Sequence, residues 1–305
     1  MTPPTTTGEV DLTVPGAGKP CKTSYKVIGE LQPGVRPLVA LHGGPGCHSE
    51  YLLILSDITM SQSRPLIIYD QLGSGQSTHL PEKNGDTAFW TEQLFLSELD
   101  NLLTQLGIKD DYDLLGHSWG GMLAARHAIT CPSGLRKLVV VSSPASMPLW
   151  VQEQNRLRKL LPADIQAVLT EHENAGTTDS KEYEDAVQVF YSRHLCVLDP
   201  MPAEVLRISE ELAKDPTVYH TMNGPSEFHV IGSLKDWAII EEAHKISVPT
   251  LLVNGSMDEA TDAVVAPFFD KIPRVKWVTF AKSSHMAFFE ERERFMTVVG
   301  AFLAD

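Results

Sequence analysis

A chain of 305 residues, 43% hydrophobic and 21% charged, has the composition of an ordinary globular protein and the length of one large α/β domain with an insertion. A formal net charge of −14 at pH 7, with no Lys/Arg cluster, excludes nucleic acid and an anionic membrane surface as expected partners and suits an amine-bearing ligand instead. No apolar run approaches the roughly eighteen residues a bilayer requires, and the Thr-, Pro- and Gly-rich opening from 1 to 18 lacks the basic start and apolar run of a secretory signal. Cys21, Cys47, Cys131 and Cys196 are widely separated, without C-x-x-C pairs, so free thiols and a cytoplasmic location are expected.

The first strand signal is Pro37-Leu38-Val39-Ala40-Leu41, followed by the glycine-rich His42-Gly43-Gly44-Pro45-Gly46. Leu66 to Tyr69 predicts a second strand, leading into Asp70-Gln71-Leu72-Gly73-Ser74-Gly75-Gln76-Ser77, which reads as a structural turn. From Phe89 to Leu106, leucines at 96, 99, 103 and 106 line one helical face, and Gly107 supplies a stop. Tyr112 to Leu115 is a strand, Gly116-His117-Ser118-Trp119-Gly120-Gly121 a tight elbow, and Met122 to Ala128 the start of a helix. After the strand Leu138 to Val141 the strand rhythm disappears between about Pro144 and Trp237. Val151 to Leu161, Ile165 to His172, Tyr183 to Leu195 and Ala203 to Lys214 read there as amphipathic helices. Strands resume with Thr250 to Val253 and Val275 to Phe280, the latter opening on the apolar-rich run Val275 to Val278. Continuous apolar strands alternating with helices imply a mostly parallel sheet covered on both faces. The expected organisation is a core from 1 to 143 and 241 to 305, interrupted by a helical cap from 144 to 240.

Ser118 sits where a strand turns sharply into a helix, a placement that lifts the hydroxyl toward a substrate carbonyl. A serine hydroxyl is a weak nucleophile near neutral pH, so it needs a base, and the base needs an orienting acid. Asp258 lies just past the strand Thr250 to Val253, and His285 lies in the loop after the last strand, in the chain order Ser, Asp, His that α/β-hydrolases use. Each alone could be ordinary: a loop histidine, a turn carboxylate. Glu259 and Asp262 compete with Asp258 for the acid's role. Asp258 is preferred as nearest the strand end, with Asp262 opening the next helix. The backbone N–H groups of Gly44 and Trp119 are the expected oxyanion donors, since glycines let main chain approach a tetrahedral intermediate closely. His42 reads as a brace for its loop. A phosphate loop is the rival there, but the G-x-G-x-x-G spacing and a following Lys-Ser/Thr are missing.

The three motifs His42 to Gly46, Asp70 to Ser77 and Gly116 to Gly121 together resemble the prolyl aminopeptidase (proline iminopeptidase) family of α/β-hydrolases, from about residue 25 to the C-terminus. The resemblance implies an α/β-hydrolase fold and removal of an N-terminal residue, often proline, from short peptides, or hydrolysis of amino-acid amides. It also implies a Ser-Asp-His triad with no cofactor and no metal. Met222-Asn223-Gly224-Pro225-Ser226-Glu227-Phe228 and Asp258-Glu259 are similar to the branch related to the tricorn-interacting aminopeptidase, where two glutamates hold the substrate's α-ammonium. That resemblance places the role on Glu227 and Glu259, and charge-assisted hydrogen bonds are the physics it needs. The residues by themselves equally allow a solvated helix-flank charge at Glu227 and a helix N-terminal carboxylate at Glu259. An esterase, lactonase or thioesterase with the same triad, or a ligand-binding protein on the same fold, stands as the alternative.

Overall fold

The computed structural model describes residues 3–304; Met1, Thr2 and Asp305, which belong to the stretches 1–18 and 241–305, lie outside the described residues. Eight strands form one sheet: β1 (Thr5–Leu12), β2 (Cys21–Ile28), β3 (Leu38–Leu41), β4 (Leu66–Tyr69), β5 (Tyr112–His117), β6 (Leu135–Val141), β7 (Thr250–Gly255) and β8 (Val275–Phe280). Their order is β1-β2-β4-β3-β5-β6-β7-β8, with β1 and β2 antiparallel at one edge and all strands from β4 to β8 parallel. The parallel strands β3 to β7 are almost entirely buried because helices cover both faces, and each face carries its own large apolar cluster.

No strand is expected before Pro37, yet β1 and β2 pair over eight residues. In β1 only Val10 and Leu12 are buried, so the alternation that marks a half-covered strand is confined to its last turn of pleat. β5, β6 and β7 also run further than their apolar runs suggest, whereas β8 has the expected bounds. Gly116 and His117, for example, pair with Val140 and Val141, and ladder bonds recruit residues that hydropathy leaves out.

The helix expected from Phe89 spans Glu92–Gln105, because the Thr91 side chain accepts from Leu94 N–H and caps it there. Its buried face is Phe95, Glu98, Leu99, Leu102 and Leu103; Leu96 and Leu106 lie at the margin. Between β6 and β7 come the helices Met147–Arg158, Ala163–Ala175, Lys181–His194, Ala203–Lys214 and Thr217–Met222. Ser146 and Ser180 cap two of them, which moves their starts ahead of the apolar positions that signalled them. Leu157, Leu161, Leu169, Tyr183, Val187, Phe190 and Phe228 make a third cluster within this segment, separate from the two on the sheet. The four cysteines are free, and no helix among the described residues is long and apolar enough to cross a membrane.

Candidate active site

β5 delivers Ser118 directly into the helix Trp119–Ile129, and the turn is tight enough to hold the serine at φ 55°, ψ −125°. That left-handed φ on a side-chain-bearing residue is backbone strain at the point where the hydroxyl is presented. Two glycines make the turn possible: a Cβ on Gly116 would overlap the carbonyl of Gly120, and one on Gly120 would overlap that of Leu41. Ser118 is 8% exposed and opens on a cavity of about 680 Å3, whose wall also includes Gly43, Gly44, Glu227 and His285.

His285 lies in the loop after β8, and its Nδ1 is 2.8 Å from Asp258 Oδ1. The same oxygen accepts Ala260 N–H at 2.8 Å, while Oδ2 accepts Gly255 N–H, so the carboxylate is fixed by its own turn. The base loop is braced from behind. Glu290 accepts the main-chain N–H and the hydroxyl of Ser284, and Glu291 accepts Lys282 N–H and the Ser283 hydroxyl. Asp262 instead starts the helix Asp262–Lys271 and accepts from Asn254.

Gly43 N–H is bonded to the Tyr51 hydroxyl at 2.7 Å, which leaves Gly44 as the other glycine of that loop facing the cavity. Trp119 opens its helix, where first-turn N–H groups lack intrahelical partners. Its indole donates to Gln71 Oε1 at 2.9 Å, so the Asp70–Ser77 turn supports the elbow. Asp70 in turn accepts Ser49 and Gln76 N–H. His42 sits between Gly43 O, 2.9 Å from Nδ1, and Gln71 N–H, which donates to Nε2; burial lowers its pKa to about 4, so it is a neutral brace.

Glu259 is fully buried, and neither carboxylate oxygen has a hydrogen-bond partner; Oε1 lies 3.8 Å from His285 Nε2. Burial pushes its pKa well above the usual carboxylate range, and the charges of Glu227 and Asp258 push the same way. Glu227 is half-buried and accepts the Tyr219 hydroxyl at 2.7 Å. Its pKa is raised by burial, against the lowering influence of that bond and of His285. A buried carboxylate without a partner is expensive, and an arriving cation relieves it.

Several positioning residues carry no sequence motif. His194, the last residue of Lys181–His194, accepts both Glu259 N–H (3.3 Å) and His285 N–H (3.2 Å) on its carbonyl, while its Nδ1 donates to Met257 O. Tyr51 and His117 form a relay: Gly43 N–H donates to Tyr51 Oη, Tyr51 O–H donates to His117 Nδ1 (2.9 Å), and His117 Nε2–H donates to the His285 carbonyl (3.1 Å). Contacts of this kind arise between elements far apart in the chain.

A strained serine elbow at the C-terminal end of a central parallel strand, with Asp and His on the loops after later strands, defines an α/β-hydrolase, and residues 36–292 match the α/β-hydrolase fold family. A proline iminopeptidase of Saccharolobus solfataricus is 40% identical over 268 residues, covering 88% of this chain and 84% of that one. The crystal structure of VinJ superposes with a TM-score of 0.92 at 49% identity, over 97% of this chain and 98% of its own. That of the proline iminopeptidase of Mycobacterium smegmatis superposes with a TM-score of 0.85 at 43% identity, over the same shares. The chain belongs to the proline iminopeptidase family of α/β-hydrolases.

Proposed function

We propose that this protein is a serine exopeptidase that releases the N-terminal residue of short peptides or aminoacyl amides, with proline the residue that the relatives' names put forward. The observation that carries this reading is the unpartnered, buried Glu259, 3.8 Å from His285 Nε2, with Glu227 on the wall of the cavity that Ser118 and His285 share. An α-ammonium placed between these carboxylates sets the first carbonyl of the substrate beside Ser118. Ser118 Oγ attacks that carbonyl, His285 Nε2 takes the hydroxyl proton, and Asp258 holds Nδ1–H. The N–H groups of Gly44 and Trp119 receive the oxyanion. His285 then protonates the leaving amine, and water, deprotonated by the same imidazole, releases the acyl group from Ser118. In this reading 1–143 and 241–305 form the core and 144–240 the cap that covers the site.

The test is a panel of prolyl, alanyl, leucyl and phenylalanyl anilides, each with a free and an N-acetylated amine, using Ser118→Ala as the blank. Losing the ammonium leaves the buried Glu259 without a counter-charge and Glu227 with the Tyr219 hydroxyl alone, so acetylation is expected to lower kcat/KM at least about 100-fold. The raised carboxyl pKa values set the sign with pH: as pH falls, Glu227 and Glu259 take up protons and the advantage of the free amine shrinks. Equal hydrolysis of both forms would identify an esterase or general amidase instead.

A further inference from the structure

The cavity is far larger than the ammonium anchor needs, and its chemistry is one-sided. At about 680 Å3 it falls in the range of pockets that enclose drug-sized ligands, roughly 300–1,000 Å3. Away from the carboxylates its wall includes the aliphatic Val187, Leu195, Val205, Ile208 and Leu212, with the neutral polar Gln188 and Ser209 among them, from Lys181–His194, its C-cap and Ala203–Lys214. Its lining also includes four exposed acids, Asp179, Glu184, Asp185 and Glu210. Among the described residues lining it there is no lysine or arginine. Lys181, at the start of one of these helices, is paired with Asp185 at 2.8 Å. Two histidines of the lining, His117 and His220, have pKa values lowered by burial and stay neutral near pH 7.

A dipeptide released at its first bond carries its free carboxylate about one residue beyond the scissile carbonyl, inside this space. There it would meet apolar side chains and negative charge, with no lysine or arginine to pair with. We infer that the leaving group of the natural substrate is a bulky, apolar amine bearing no free carboxylate, so that the enzyme acts on aminoacyl amides of lipophilic amines in preference to dipeptides. The inference rests on the exopeptidase reading, since the ammonium anchor fixes which side of the scissile bond fills the cavity. Apolar extension of the amine strengthens binding through burial, and removing the carboxylate removes both its desolvation and its repulsion.

The experiment uses the N-terminal residue that the anilide panel ranks first, coupled to phenylalanine, to phenylalaninamide, and to n-alkylamines from butyl to octyl. kcat/KM is measured at low and high ionic strength, about 0.01 M and about 0.5 M. Phenylalaninamide is expected to exceed phenylalanine at least tenfold at low ionic strength, and salt should narrow the gap by screening the acids. Along the alkyl series kcat/KM should rise about twofold to fourfold per methylene. Dipeptide and amide within twofold of each other at low ionic strength, or a flat alkyl series, would overturn the inference while leaving the exopeptidase reading intact. Turnover of the N-acetylated twins alone would overturn that reading and the inference with it.

Discussion

His117 has one proton arrangement open to it. The His285 carbonyl can only accept, so Nε2 carries the proton; Nδ1 therefore accepts from Tyr51, whose oxygen is left to accept from Gly43 N–H. Burial keeps the ring neutral, so this direction persists through the working pH range. Every member is satisfied, and the chain runs from the Gly43–Gly44 loop to the main chain of His285. Tyr51→Phe leaves two buried polar groups orphaned, at a cost of about 1–3 kcal/mol. It should lower the melting temperature by several degrees. It should also lower kcat about tenfold with little change in KM, less than the 10²–10³-fold of losing an oxyanion donor outright. A variant with wild-type melting and kcat would show that the relay positions nothing.

The helix Glu92–Gln105 carries a carboxylic acid on its buried face. Glu98 accepts the Thr23 hydroxyl at 2.5 Å and Leu72 N–H at 3.0 Å, and so ties the helix to β2 and to the turn that supports Trp119. Burial raises its pKa from 4.5 to about 7, despite these donors. A folded-state pKa above the unfolded value means that the native protein holds the proton more tightly. Stability from this group is therefore intact below the unfolded value and is lost as pH rises from 4.5 to about 7, by about 3 kcal/mol. Glu98→Gln should flatten that limb, as seen in melting temperatures of both proteins near each end of the window. The same fall with pH in both proteins would refute the assignment. Element ends matter here too: the last carbonyl of Lys181–His194 holds Glu259 and His285 together, so a helix that walls the cavity also fixes where these two residues sit.

At the scale of the whole molecule, the apolar interior divides into two clusters on the sheet and a third, smaller one in the segment between β6 and β7. Ala163–Ala175 buries only Leu169, and Ala203–Lys214 only Val205, whereas β3 to β7 are buried nearly throughout. Few buried contacts mean a small free energy of local opening. Amide hydrogen exchange should accordingly be fastest, among the regular elements, in these two helices and slowest in β3 to β7. Uniform protection across both would mean that the two regions unfold as one unit. Such a division would let the helical wall of the cavity yield while the elbow at Ser118 stays rigid.

The central strands, the elbow around Ser118, the order of the three polar residues and the run of helices between β6 and β7 were legible in the sequence, because these rest on local signals. Continuous apolar runs, glycines at a tight turn and polar residues just past a strand all act within a few residues of chain. Helix starts shifted where a serine or threonine side chain captured a backbone N–H, a preference that hydrophobic spacing does not register. The hairpin of β1 and β2 was missed because its burial comes from the partner strand and not from its own pattern. The fold was needed to bring Asp258, the acid already favoured by its place at the strand end, to 2.8 Å from His285, to bury Glu259 without a partner, and to link the loops of the site through Tyr51, His117 and His194. Those are distances between residues that are mostly dozens to well over a hundred positions apart, and local propensity carries no information about them. The cavity is likewise a property of how helices meet the ends of the central strands, so its size and, among the described residues, a lining without lysine or arginine emerged only when the chain was folded.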